Sequence, residues 1–254
     1  MLLNPGELAE KNLSYAEMAD ALEELYKLDH HPVAVKFFWT EEEYNNFKAD
    51  KIPDPPASVC QIALAARIND RTVKANMNTM GCGNAKICFG WATPTETTVE
   101  GHAKFAADLA HAKDCLMAKP TLTTGKLKGF MTAPLGKTTV DPDVVFMVVN
   151  PWQAYHIMNN YMAAKKVPDL QFSHTINSAV CGGMVRCYND QQSNMNTMCA
   201  GSHTTGRTEK GELNIFIPGA DIGGLVQELL RHTAKYGTPW VAVLPGQEWP
   251  SPNA

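Results

Sequence analysis

The chain has 254 residues, 44% of them hydrophobic and 19% charged, with a formal net charge of -4 at neutral pH. That length and apolar fraction allow one large core or two small ones packed closely together. The mildly acidic balance lacks the basic footprint that draws nucleic acid or an anionic membrane surface, so a small molecule or another protein is the expected partner, with a homo-oligomer allowed.

The start, Met1-Leu2-Leu3-Asn4-Pro5-Gly6-Glu7, has neither the basic beginning nor the apolar run of a secretory signal, and no stretch of about 18 uncharged apolar residues follows. A cytoplasmic protein without a membrane span is therefore expected. Thiols stay reduced there, which turns the seven cysteines away from disulfides and toward metal ligation, redox chemistry or burial.

Ser14-Tyr15-Ala16-Glu17 has capping-box spacing, and Met18, Leu22, Leu25 and Tyr26 follow at helical intervals, which predicts a helix over 14–28. His30, His31 and Pro32 end it. The β-branched and aromatic run 33–39 reads as a strand, 40–47 as the start of a helix, and 52–56 as a Pro-rich turn. Residues 59–67 suit a buried helix or strand, and Asn69-Asp70 marks a turn before a polar segment at 72–80. Phe105, Leu109 and Ala112 suggest one helix over 99–116, 144–149 reads as a buried strand, and 152–165 as a helix. Further strands are expected at 213–217 and 241–244, with a helix at 222–232 between them and an aperiodic arm over 245–254.

The most informative feature is the recurrence of Asn76-Met77-Asn78-Thr79-Met80 as Asn194-Met195-Asn196-Thr197-Met198, each copy leading into a cysteine, Cys82 or Cys199. A second cysteine precedes each copy at a similar separation, Cys60 in Ser-Val-Cys and Cys181 in Ala-Val-Cys. Each half then reads strand, helix, cysteine, loop, cysteine, with the first half at about 30–130 and the second at about 140–245. The expected fold class is α+β, two pseudo-symmetric repeats packed as a single module over 1–254.

If the halves pair about an axis, Cys60, Cys82, Cys181 and Cys199 form a four-thiolate cage. That donor set fits a 4Fe-4S cluster or a structural zinc. The Cys-x-x-Cys spacing of zinc ribbons and bacterial ferredoxins is absent, and a free cysteine is ordinarily a small buried hydrophobe. Gly81, Gly83 and Gly201 would let backbone approach a cluster closely, although a tight turn asks for the same glycines. Asn78, Thr79, Asn196 and Thr197 suit either hydrogen bonds around a cluster or ordinary turns. Cys88, Cys115 and Cys187 read as structural, with Cys88 a candidate to replace one ligand. His102, His111, His156 and His232 fall on predicted helices, where surface or capping roles are the expectation. His203 and Arg207 follow Cys199 and would place a cation beside an anionic substrate or a cluster edge; a solvated loop is the alternative. Hydrolase elbows, Walker loops, dinucleotide-binding turns and His-Glu-x-x-His helices are missing from the sequence.

Pro32-Val33-Ala34-Val35-Lys36, Cys60-Gln61 with Ala65-Ala66-Arg67, Cys82, Cys181 and Cys199-Ala200-Gly201-Ser202 together resemble the family catalogued as domain of unknown function 169. The resemblance covers most of the chain and implies proteins common in anaerobic bacteria and archaea, without an established activity. Its Cys-x-Gly-x-Arg ending has His203 here in place of the arginine, with Arg207 four residues on. An iron-sulfur protein acting in electron transfer or in reduction of a small molecule, with a redox partner, is the expectation. A metal-free ligand-binding or structural subunit with buried cysteines is the alternative.

Overall fold

The computed structural model describes residues 4–9, 11–50, 52 and 56–239. The strand expected over 241–244 and the arm after it lie outside the described residues, as do 53–55 of the Pro-rich turn. In chain order the elements are α1 (Pro5–Leu8), α2 (Tyr15–Tyr26), β1 (Val33–Phe38), α3 (Glu41–Asn46), α4 (Val59–Arg67), β2 (Val73–Ala75), α5 (Gly83–Cys88), α6 (Glu96–His102), α7 (Leu109–Met117), β3 (Gly129–Pro134), β4 (Val144–Val149), α8 (Pro151–Lys165), α9 (Ala179–Asp190), β5 (Asn194–Thr197), α10 (Ala200–Thr204), β6 (Leu213–Pro218) and α11 (Ile222–Tyr236).

Helices begin where a side chain serves the unpaired amides of the first turn. Ser14 with Glu17, Thr40 with Glu43, Ser58 with Gln61 and Asn150 with Gln153 close reciprocal capping boxes on α2, α3, α4 and α8. The helix expected over 99–116 is instead broken. α6 stops at His102, and α7 restarts from Asp108, whose carboxylate accepts from the His111 amide at 2.8 Å. A good N-cap inside an apolar pattern is enough to divide it.

The six strands form one antiparallel sheet in the order β2-β3-β1-β4-β6-β5. β1 and β4 meet at its centre, with Val33 opposite Phe146 and Val35 opposite Val144. On their outer sides the registers are alike, Val33 facing Pro134 of β3 and Val144 facing Pro218 of β6. The chain is thus a mixed α and β protein around an antiparallel sheet.

Alternation sorts the strand side chains onto two faces. Val33, Val35, Phe37, Val144, Phe146, Val148 and Phe216 pack with α4 and α9, whereas Ala34, Val145, Met147, Val149, Ile215 and Ile217 pack with α2, α8 and α11. Because both faces are covered, β4 is buried along its whole length, which explains its unbroken apolar run. β3 and α9 carry weaker signals, since Gly, Thr and Pro interrupt the first and Gly182-Gly183 the second. Gly183 is nonetheless required: a Cβ there would lie 2.0 Å from the Phe216 ring, so only glycine lets α9 settle onto β6.

The two identical pentapeptides fold differently. Asn194–Thr197 is β5, while Asn76–Met80 follows β2 as a turn in which the Asn76 Oδ1 accepts from the amides of Asn78 and Thr79. Pairing with β6 imposes strand on one copy, and local side-chain hydrogen bonds impose a turn on the other.

Candidate cysteine site

Four helix starts bring the cysteines of interest together. Cys60 and Cys181 lie in the first turns of α4 and α9, and Cys82 and Cys199 are the N-cap residues of α5 and α10. The helices are held to the sheet by polar bonds as well as packing. The Thr132 hydroxyl of β3 donates to the Ile62 carbonyl at 3.0 Å. The Asn196 amide of β5 donates to the Ala179 carbonyl at 2.9 Å and accepts from Asn214 of β6 at 2.9 Å, which pins the start of α9 beside the end of β5.

All four cysteines line one cavity of about 470 Å³, together with Gly83, Asn84, His102, Lys104, Asn177 and Gly201 among others. Ser202, buried, puts its hydroxyl 3.5 Å from the Cys199 Sγ and 3.8 Å from the Cys60 Sγ. A Cβ added at Gly201 would stand 3.8 Å from both of those sulfurs. The glycine thus leaves an open cradle between them. A Cβ at Gly83 would meet nothing within 4 Å.

Two pairs of thiols lie near enough to shift each other's acidity, with Cys82 apart from both. Cys60 donates to Cys199, which drops the Cys199 thiol to about 4, assisted by Ser202 and the Ala179 amide, while the same bond and burial push Cys60 well up. Cys181 likewise donates to Cys88, raising itself and lowering its partner. Burial pushes Cys82 up to about 11, against the amides of Ala85 and Asn84 that favour its thiolate. A buried cation balances the second pair: Lys119, 4% exposed, donates to the Ser178 hydroxyl at 2.6 Å and the Ile176 carbonyl at 2.5 Å. Burial lowers its pKa, and Cys88 and Cys181 raise it.

Gly83 and Gly201 lie on the cavity, but Gly81 and Arg207 are not part of its lining. Gly81 is committed to packing, since a Cβ there would approach the Pro56 carbonyl oxygen to 2.9 Å. Arg207 has an exposed side chain and a positive φ of 49°, and its carbonyl accepts from Arg67 at 3.2 Å. His203 points its Nδ1 at the Thr208 carbonyl, 2.9 Å away, closing the loop after α10. Cys88 is fully buried behind Cys181 and does not reach the cavity.

Sequence reasoning missed four residues around the site: Lys119, Ser202, Arg67 and His102. Arg67 is 2% exposed and donates to the Gly206 carbonyl at 2.5 Å, tying α4 to the loop that follows α10. His102, expected at the surface, is 4% exposed and lines the cavity. Only Arg67 carried a signal, as a charge ending an otherwise apolar helix.

Among the described residues, no three His, Cys, Asp or Glu side chains are grouped so as to hold a metal ion. No helix among them is long and apolar enough to cross a membrane. No similar curated protein and no similar solved structure was found. The family model for domain of unknown function 169, described as uncharacterised ArCR, matches residues 21–228, and the chain belongs to that family.

Proposed function

We propose that the protein holds an iron-sulfur cluster, of the 4Fe-4S kind, on Cys60, Cys82, Cys181 and Cys199, and uses it in the cytoplasm for electron transfer with a partner protein or for reduction of a small molecule. One observation carries this reading: four cysteines from four separate helix starts line a single cavity. Soft thiolates suit both zinc and iron-sulfur centres. A single zinc gathers its sulfurs onto one tetrahedron, whereas a cubane takes one thiolate at each of four corners and keeps them farther apart. The Gly201 cradle between two thiols and the amides at the helix starts suit the edge of an anionic group. The neighbouring thiols of Cys199 and Cys88, together with burial, hold Cys60 and Cys181 protonated, and burial holds Cys82 protonated, so loading a metal releases protons.

The reading includes an internal duplication. The strand order is the same from either end, β2-β3-β1 then β5-β6-β4, about a pseudo-two-fold axis between β1 and β4. α4 with Cys60 corresponds to α9 with Cys181, and α5 after Cys82 to α10 after Cys199. The matching registers at Pro134 and Pro218 support that alignment, and the repeated pentapeptide does not.

A metal-free binding subunit is the second reading, favoured by the membership of Cys60, Cys88 and Cys181 in the apolar cluster under α4 and α9. Anaerobic purification followed by visible absorption and iron, zinc and sulfide analysis separates the two. Iron with acid-labile sulfide supports the cluster, zinc alone makes the cysteines a structural clamp, and a metal-free protein moves the assignment to the binding subunit.

A further inference from the structure

The cavity has a wall that the cysteines do not supply. The connection from α5 to β3 spans 89–128 and contains α6 and α7, whereas the one from α10 to β6 is only 205–212. The longer connection brings Thr97, Thr98, His102, Lys104, Phe105 and Leu116 to the cavity. Two of these side chains, His102 and Lys104, carry nitrogens that have no hydrogen-bonded or ionic partner among the described residues. The His102 Nε2 is shielded from solvent and makes no hydrogen bond among the described residues, a costly state that a small turn of the ring toward an acceptor in the cavity relieves. Lys104 makes no ion pair among the described residues and sits 5.0 Å over the Phe105 ring, which steadies its stem while leaving its N–H donors for a ligand.

The remaining lining sets the ligand's character. Among the described residues it includes no Asp or Glu, and Lys104 is the one permanently charged side chain there. The first turns of α4 and α9 add partial positive charge. Ile87, Phe105, Leu116 and Val180 make part of the surface apolar, and about 470 Å³, shared with the cluster at the cysteine end, leaves room for a small ligand at the α6 end. Because the Cys199 thiolate already puts one negative charge on the lining, one cation and one imidazole match at most a single negative charge on a ligand; a polyphosphate asks for a cluster of cations.

We propose that this cavity takes a small monocarboxylate with an apolar body, its carboxylate bound by Lys104 and His102 on the α6 wall and its body directed toward the cysteines. The inference rests on the cavity being the working site and names its substrate class. Burial and the nearby Lys119 charge hold the His102 imidazole neutral, so it serves as a hydrogen-bond donor rather than a second charge.

The test uses the full chain, purified anaerobically, titrated calorimetrically with benzoate, with its uncharged isostere benzamide and with pyrophosphate. Benzoate should bind about tenfold or more tightly than either, and Lys104→Met should weaken it by about tenfold. His102→Phe, which fills the same space without the nitrogens, should weaken it similarly. If that variant does not fold, Lys104→Met decides, because Lys104 is exposed. Benzoate binding no better than benzamide, tighter binding of pyrophosphate, or unchanged affinity in Lys104→Met overturns the proposal. Iron and sulfide analysis of the same samples reports separately on the cluster: Lys104-dependent benzoate binding by an iron-free protein sinks the cluster and keeps this inference, and iron without benzoate binding does the reverse.

Discussion

On one face of the sheet, α2, α8 and α11 bury Leu22, Tyr26, Ile157, Tyr161, Leu225, Leu229 and Leu230; on the other, α4 and α9 bury alanines, glycines and cysteines beside Arg67, with Lys119 close by. The first face fills its volume with large side chains at regular helical spacing. Its buried polar groups act as internal ties, Gln153 donating to the Lys27 carbonyl at 2.8 Å and Asn160 to the Tyr26 hydroxyl at 2.6 Å. On the second face Phe37, Phe89, Phe130, Phe146 and Phe216 supply the bulk from the sheet and its connections, while small residues on α4 and α9 bring the helix backbones close to the sheet and their starts to one cavity. Both faces therefore bury large apolar side chains, and it is on the second that thiols and charges interrupt the packing.

That comparison is broken or sharpened by substitutions on each face. The largest effect is expected at the cysteines: serine at Cys60, Cys82, Cys181 or Cys199 should remove the visible absorption and most of the bound iron, and full iron retention in all four variants would sink the ligand assignment. Leu229→Ala on the opposite face should cost about 2–5 kcal/mol in denaturant unfolding while the folded fraction keeps its iron; iron loss there would mean that the faces are not separable. Arg67→Met should cost about 1–3 kcal/mol, because it leaves the Gly206 and Arg207 carbonyls without their donor. Unlike Leu229→Ala, it should also speed iron release under chelator, since the loop it holds follows α10.

The smallest effect is acid sensitivity on the α8 face. His156, fully buried and edge-on to Trp152, is held near a pKa of about 4 mainly by burial. It stays neutral when folded while the unfolded chain takes up a proton near 6.5, so its contribution is full above pH 6.5 and is lost as pH falls toward 4. About 2 kcal/mol is expected after allowance for solvent screening. Melting temperatures measured across that range should fall less steeply in His156→Gln than in the unaltered chain; parallel curves would remove His156 as the cause.

Much of the fold was legible because its signals are local. Ser14 with Glu17 announced α2, the continuous apolar run announced β4, and Leu225, Leu229 and Leu230 announced α11, each observed close to its expected bounds. β3 and α9 were not legible. Their glycines and polar residues exist for close approach to neighbours that sequence alone does not reveal, as Gly183 against Phe216 illustrates. At the site, the four cysteines were picked out by their recurrence, but part of the reason was misleading: the pentapeptide beside them is a strand in one place and a turn in the other.

The sequence by itself determined many of the helices and strands, α2, β1, β4, α8, β6 and α11 among them, that the cysteines recur in two pairs, and that the family is domain of unknown function 169. These depend on side-chain chemistry and spacing within a few turns of chain. Only the tertiary structure decided that four helix starts meet at one cavity, that Cys60 pairs with Cys199 and Cys181 with Cys88, and that His102 turns inward beside them. Those contacts join residues far apart in the chain. They exist because an antiparallel sheet brings β3 and β6, and the helices seated on them, to opposite sides of its central pair.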